Sequence, residues 1–309
     1  MQIRKASVWV GIGGLALSCA ASAQLGKPGA PKTEPPKPEP ATRAEPASTP
    51  APGPASTDIL TARDLLAALE RAGDSIDTLQ SRVVYDRRFK LQGDRHIRRG
   101  KLFFQNVPNA NAQRVRTFAI LFDDLQVGQR VEESPQTWVF DGRWLVEMRV
   151  NEKQFIKREI ARPGEPFDPL KIGEGPMPIP IGQRADEIER RYHAELMKPR
   201  AGLPETWNIP AWLENTWQIV LTPRNPDADE FTGIRLWYDK ETLLPRMAIT
   251  LNRAGDESIV FLDEIKQNQP LPRDRLSVDE PPPNSGWQVQ VERLPEAKME
   301  EGDVDAPNR

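Results

Sequence analysis

The apolar positions of the chain change period after Gly73. Leu65, Leu66, Leu69, Ala72 and Ile76 recur at helical spacing, leaving Arg63, Glu70 and Arg71 on a wet face, which predicts an amphipathic helix. Thr61 stands at its N-cap with Asp64 three residues on, and Leu60 is placed to staple against Leu65. Beyond Gly73 the period falls to 2. Val83, Tyr85, Phe89 and Leu91 alternate with Asp86, Arg88 and Lys90, and Gly93-Asp94 offers a turn, so a strand enters a hairpin here.

Further strand-like runs occupy 100–105, 116–122, 137–140, 143–150, 154–160, 217–222, 233–238, 245–251 and 258–265, most of them separated by turn residues. That succession predicts an antiparallel meander. Asp141-Gly142, between Trp138-Val139-Phe140 and Trp144-Leu145-Val146, is the strongest hairpin signal, because Asp-Gly tolerates the positive φ of a tight primed turn. A second helix is predicted from Arg184 to Met197, with Ile188, Tyr192 and Leu196 on one stripe and Asp186-Arg190 and Glu187-Arg191 as i,i+4 pairs. The preceding Pro176-Met177-Pro178-Ile179-Pro180-Ile181 is neither helix nor central strand.

Several strands are apolar on both faces: Phe118 to Phe122, Leu236-Trp237-Tyr238, and Ile259 to Leu262. Such a sheet needs cover on two sides. With two helices to supply it, one face is expected to close loosely over an apolar cleft; the plainer alternative is a packed helix-on-sheet core. The cavity wall is expected from Trp144, Val146, Met148 and Val150, on one face of the strand after Asp141-Gly142, together with Phe118, Ile120, Phe122 and Trp237. Leu65, Leu66, Leu69, Ile188 and Tyr192 are expected on the lid helices.

The ends of the chain differ from this middle. Arg4 and Lys5 precede an apolar run from Ala6 to Leu17 and then Ala21-Ser22-Ala23, the pattern of an export signal cut after Ala23 to leave Gln24 first. The run is too short to cross a bilayer. Cys19, the only cysteine, sits where a lipoprotein acylation cysteine would, but the usual Leu lies one position too far away, at Leu15, so cleavage after Ala23 is preferred. Residues 24–57 are rich in Pro, Ala, Lys and Glu and nearly devoid of large apolar side chains, which predicts a disordered spacer. The folded domain is expected over 58–281, and 282–309 is expected to be an acidic, proline-containing disordered tail.

Composition adds mostly exclusions. A formal charge of −3, from 42 basic and 45 acidic residues, supplies no excess for nucleic acid. His96 and His193 read as surface residues, and the run Arg95 to Lys101 as the wet face of a strand. Asp227, Asp229 and Glu230 lack the spacing of a calcium loop and read as a solvated acidic turn. No nucleophile-base pair, metal-ligand spacing or phosphate loop is legible, so neither an enzyme nor a metal or cofactor site is expected.

In element order the region from about Leu65 to Pro281 resembles the outer-membrane lipoprotein carrier family (LolA-like). The resemblance rests on the leading helix, the hairpin Trp138-Val139-Phe140-Asp141-Gly142-Arg143-Trp144, the segment from Gly175 to Leu196, and the closing strands Trp217 to Pro223, Gly233 to Asp239, Leu244 to Met247 and Val260 to Ile265, followed by Asn268. It implies a mainly β (α+β) fold, a curved antiparallel incomplete β-barrel covered by helices (LolA/LolB-like). It further implies a non-enzymatic periplasmic monomer whose hollow takes the acyl chains of lipoproteins or related lipids, with inner-membrane release machinery and an outer-membrane acceptor as partners. The alternative is a tethered receptor or envelope-stress sensor on the same fold. The family's Arg-Pro before aromatics in an early strand is absent; the nearest segment reads Phe103-Phe104-Gln105-Asn106-Val107-Pro108, so no transfer arginine is carried over.

Overall fold

The computed structural model describes residues 59–108, 114–162, 165, 167, 170, 172, 181–208 and 210–295. The expected signal, the spacer and most of the apolar-proline segment lie outside them. The first helix, α1 (Ala62–Asp74), starts where its cap predicts: the Thr61 hydroxyl accepts from the Asp64 N–H at 3.2 Å and the Asp64 carboxylate accepts from the Thr61 N–H at 2.9 Å. The staple does not form. Leu60 is 79% exposed, and its neighbour Ile59 packs on the core instead.

Twelve strands follow in a single sheet. They are β1 (Thr78–Arg88), β2 (Arg95–Pro108), β3 (Arg114–Val127), β4 (Arg130–Phe140), β5 (Trp144–Arg149), β6 (Gln154–Glu159), β7 (Tyr192–Met197), β8 (Thr216–Pro223), β9 (Phe231–Asp239), β10 (Pro245–Asn252), β11 (Glu257–Gln267) and β12 (Gln288–Glu292), with helix α2 (Ala185–Arg191) before β7. Their order is β12-β6-β5-β4-β3-β2-β1-β11-β10-β9-β8-β7, antiparallel except for the parallel β12–β6 pair. The sheet is curved and unclosed, with β12 and β7 as its edges. This is the mainly β, open-barrel architecture that the strand pattern predicts.

Two chain-local meanders, β1–β6 and β7–β11, thus meet along one seam, β1 against β11. Bulges bend the first meander. At Gly100 the register slips against β3, and a Cβ there would fall 1.9 Å from the Leu121 carbonyl oxygen, so only glycine lets the strands approach.

Three local expectations are corrected. The second helix ends at Arg191, and Tyr192 to Met197, expected to continue it, forms β7 on the edge of β8. The spacing of Ile188, Tyr192 and Leu196 fits a period of 2 as well as 3.6, and pairing with β8 satisfies the backbone in the extended form. Tyr192 is therefore a strand residue and not part of a lid helix. The Asp141-Gly142 turn is wider than a two-residue hairpin: Phe140 pairs with Leu145, and Asp141 Oδ1 accepts from the N–H groups of Arg143 and Trp144 at 2.8 and 2.7 Å. Gly142 does take the positive φ, 104°. Finally, Gln288–Glu292, inside the expected disordered tail, forms β12.

Alternation along the strands builds two faces. The inner face carries the main core, to which both helices and the strands β1 to β5 and β7 to β11 contribute, including Leu79, Leu102, Phe104, Phe118, Ile120, Phe140, Ile219, Leu236 and Val260. The outer face carries two smaller cores. One comprises Phe103, Ala119, Val139, Val146 and Phe155, covered by Leu271, Leu276, Val278 and Trp287 from the segment joining β11 to β12. That segment straps six strands before β12 docks on β6. The other comprises Trp237, Met247, Ile249 and Ile259, covered by Leu203, Trp207, Trp212 and Leu213.

Candidate functional site

On the inner face the apolar stripe of α1 lies against the sheet, with Leu65, Leu66 and Leu69 all buried. The segment running from Ile181 into α2 closes beside it. Gly73 and Gly182 cross so closely that a Cβ on Gly73 would fall 2.0 Å from the Gly182 Cα, and Gly182 has a φ of +59° that favours glycine. Polar contacts pin the second segment: Arg116 donates to the Gly182 carbonyl at 2.7 Å and the Ala185 N–H donates to Glu70 at 3.2 Å. Arg191 reaches the Ile172 carbonyl at 2.9 Å and Asp229 at 3.3 Å.

Between the two helical elements runs a crevice lined by Leu66, Leu69, Gly73, Ile181, Ile188 and Tyr238, among others. It encloses about 10 Å³, room for about one water. The apolar interior beneath is packed, with Leu65, Leu79, Leu102 and Phe104 at 0% exposure.

The residues expected to wall one cavity fall into separate places. Phe118, Ile120 and Phe122 lie on the inner face, at 0–2% exposure. Val146 and Met148 lie on the outer face beneath the strap, and Trp237 lies in the other outer core with its indole N–H donated to the Pro199 carbonyl at 2.8 Å. Trp144 shares the outer face, flanked by the Arg143 and Lys157 cations at 5.1 and 5.2 Å from its ring. Val150 is an exposed turn residue beyond β5. Alternation groups 144, 146 and 148 correctly but cannot tell which side is inside when both sides are apolar; Leu145 is the inward residue. Of the expected lid residues, Leu65, Leu66, Leu69 and Ile188 face the inner core from the helices, and Tyr192 does so from β7.

The inner face has a polar end that the apolar pattern does not announce. Tyr85, Phe122 and Trp138 form an aromatic cluster with ring centroids 5.4 to 6.3 Å apart. Next to it, Arg98 is the direct cross-strand partner of Tyr85. Glu147, 5% exposed, accepts from Gln136 at 2.8 Å and from Arg149 at 2.7 Å, with Arg158 at 3.9 Å. The signal that points to it is polar Gln136, Glu147 and Arg149 in phase with the apolar Trp138, Phe140 and Leu145.

The run Arg95 to Lys101 is not a uniformly wet face. Arg95 pairs with buried Asp86 at 2.7 Å and Arg99 with Asp124 at 2.9 Å on the outer side, while Arg98 is half-buried on the inner side. His96 is likewise half-buried, its ring 5.0 Å from that of Phe89, whereas His193 is exposed. Asp229 is no solvated turn: it is 7% exposed, pairs with Arg191 and accepts from the Phe231 N–H at 3.2 Å. Among the described residues no group of three or more His, Cys, Asp or Glu is placed to hold a metal ion. Nor is any described helix long and apolar enough to cross a membrane.

No family model and no curated protein matches the chain. Among solved structures it is similar to MucB in the MucA/MucB complex of Pseudomonas aeruginosa, with 16% identity, TM-score 0.38 and 70% of this chain covered. An uncharacterized conserved protein from Thermus thermophilus is 14% identical, with TM-score 0.38 and coverage of 75% of this chain and 99% of that one. A LolA superfamily protein from Nitrosomonas europaea is 13% identical, with TM-score 0.30 and coverage of 71% and 98%. The chain spans less than two thirds of the MucB chains it matches, 59% to 64%.

Proposed function

We propose that the protein is a non-enzymatic periplasmic carrier, exported and cut after Ala23, that shelters acyl chains of lipoproteins or related lipids on its inner face. The observation that carries this reading is the closure of that face. An unclosed sheet with an apolar inner surface is covered by a 13-residue helix and a 7-residue helix that meet over a crevice. Parting them opens a path into the core without breaking a strand pair. A chain of about 14 methylenes, at about 0.8 kcal/mol each, gains on the order of 10 kcal/mol on leaving water, which can offset the loss of helix-to-sheet contacts. Burial in such a hollow needs few polar contacts and no catalytic group.

The test is binding of a fluorescent acylated peptide, alongside native mass spectrometry of protein purified from envelopes for co-purified lipid. The Gly73→Ala variant locates the opening, because its methyl group collides with Gly182 and pushes the two lid elements apart. Tighter or faster acyl binding by a folded Gly73→Ala protein is expected. Absence of acyl binding in the unaltered protein overturns the carrier reading, and identical kinetics in the variant place the opening elsewhere.

A further inference from the structure

Arg98 holds a charge that the fold leaves unanswered. Its guanidinium is half-buried on the inner face and donates to the Ser134 carbonyl at 3.2 Å. Among the described residues no carboxylate lies within ion-pair distance of it. Glu147, the buried acid of this region, is already engaged by Gln136 and Arg149, with Arg158 on its other oxygen. Burial, and after it the neighbouring Arg149 cation, push the Arg98 pKa down, against weaker opposing effects from Glu152, Glu147 and Glu132. A guanidinium has five N–H donors in a planar fork, and those not bonded to Ser134 are open to a ligand or to water.

The surroundings give the missing partner a shape. On one side of Arg98 stand its cross-strand neighbour Tyr85 and the ring cluster of Phe122 and Trp138. From there the inner face continues through Ile120, Leu102 and Phe118, each 0% exposed. A fork that binds carboxylate or phosphate in two-point fashion therefore stands at the rim of an apolar path.

We infer that the Arg98 end of the inner face is a head-group site for an anionic amphiphile, a fatty carboxylate or phosphate ester, whose tail runs along β2 and β3 into the hollow. This rests on the acyl-binding reading and goes further, because it assigns a charge to the cargo and an orientation to its tail. A neutral amphiphile of the same length fills the hollow but leaves Arg98 unmatched.

The experiment measures Kd by intrinsic tryptophan fluorescence for dodecyl phosphate, dodecanol and inorganic phosphate. A charge-assisted, two-point contact predicts dodecyl phosphate binding about 10- to 100-fold tighter than dodecanol. In Arg98→Gln the two ligands are expected to bind within about threefold of each other, with dodecanol unchanged; Arg98→Lys, which keeps the charge and loses the fork, falls between. Equal binding of the two ligands by the unaltered protein overturns the inference, as does a preference that survives in Arg98→Gln. Should Arg98→Gln fail to fold, the ligand comparison in the unaltered protein and in Arg98→Lys still decides. Inorganic phosphate binding as tightly as dodecyl phosphate overturns the head-group assignment in favour of a free anion. If neither dodecyl ligand binds, it is the acyl-carrier reading that fails.

Discussion

At the scale of single residues the two sides of the sheet respond differently to the same substitution. Val146 is 1% exposed, pairs with Val139 across β4 and β5 and with Lys157 across β5 and β6, and lies under the strap. Val146→Glu is therefore expected to cost several kcal/mol and to abolish a cooperative melt in a marginally stable domain, because the carboxylate displaces apolar packing and its cross-strand neighbour Lys157 is already engaged by the Val278 carbonyl and Glu280. A folded Val146→Glu protein would show that the strap lifts freely. His96 supplies a pH dependence. Burial is the main cause of its lowered pKa, with the Arg98 and Arg87 cations adding to it against Asp94. A histidine whose folded pKa lies below its unfolded value, about 6.5, contributes full stability above that value and loses it as the pH falls through 6.5 toward the folded pKa. Thermal melts from pH 7.5 to 5.5 should therefore fall more steeply for the unaltered protein than for His96→Gln; equal slopes would remove His96 from the account.

At the scale of elements the strap is the piece whose worth is easiest to weigh. Leu271, Leu276, Val278 and Trp287 are each half-buried, and beneath them Phe103, Val139, Val146 and Phe155 are at most 7% exposed. Half-burying four large apolar side chains contributes roughly 3–6 kcal/mol, a sizeable share of ordinary domain stability. A chain ended after Gln267 should melt well below the full chain and bind a hydrophobic dye such as ANS on its outer face; an unchanged melting temperature would contradict the packing described. Lys157 helps to hold the strap, donating to the Val278 carbonyl at 3.2 Å with Glu280 at 3.5 Å. The sequence made this element hard to see, because its apolar residues are few, irregularly spaced and set among prolines. Strand positions were legible where alternation met turn residues, as at Gly93-Asp94 and Asp141-Gly142. The α2–β7 junction was not, since one spacing served both periods.

At the scale of the whole molecule, what could be read was local and what could not was relational. Each strand of the two meanders except β7 announced itself, yet nothing in β1 names β11 as its neighbour, and nothing in β5 says that Leu145 and not Val146 faces inward. Both facts depend on chain segments far away: the seam between the meanders, and the strap that makes a second apolar face necessary. For the candidate site, the apolar stripe of α1 was legible, while Arg98 was hidden inside a basic run whose members turn out to have different surroundings. The seam also bears on how the chain is born. Synthesis delivers β1 long before β11, so Val83 waits for Leu262 and Tyr85 for Val260 while nearly the whole domain is made between them. Until then β1 can pair with β2 on one side only, and its other row of N–H and C=O groups stands open to any extended segment nearby. The nascent first meander is thus a half-finished sheet with a sticky margin, and its safe passage depends on how quickly the second meander arrives to cover it.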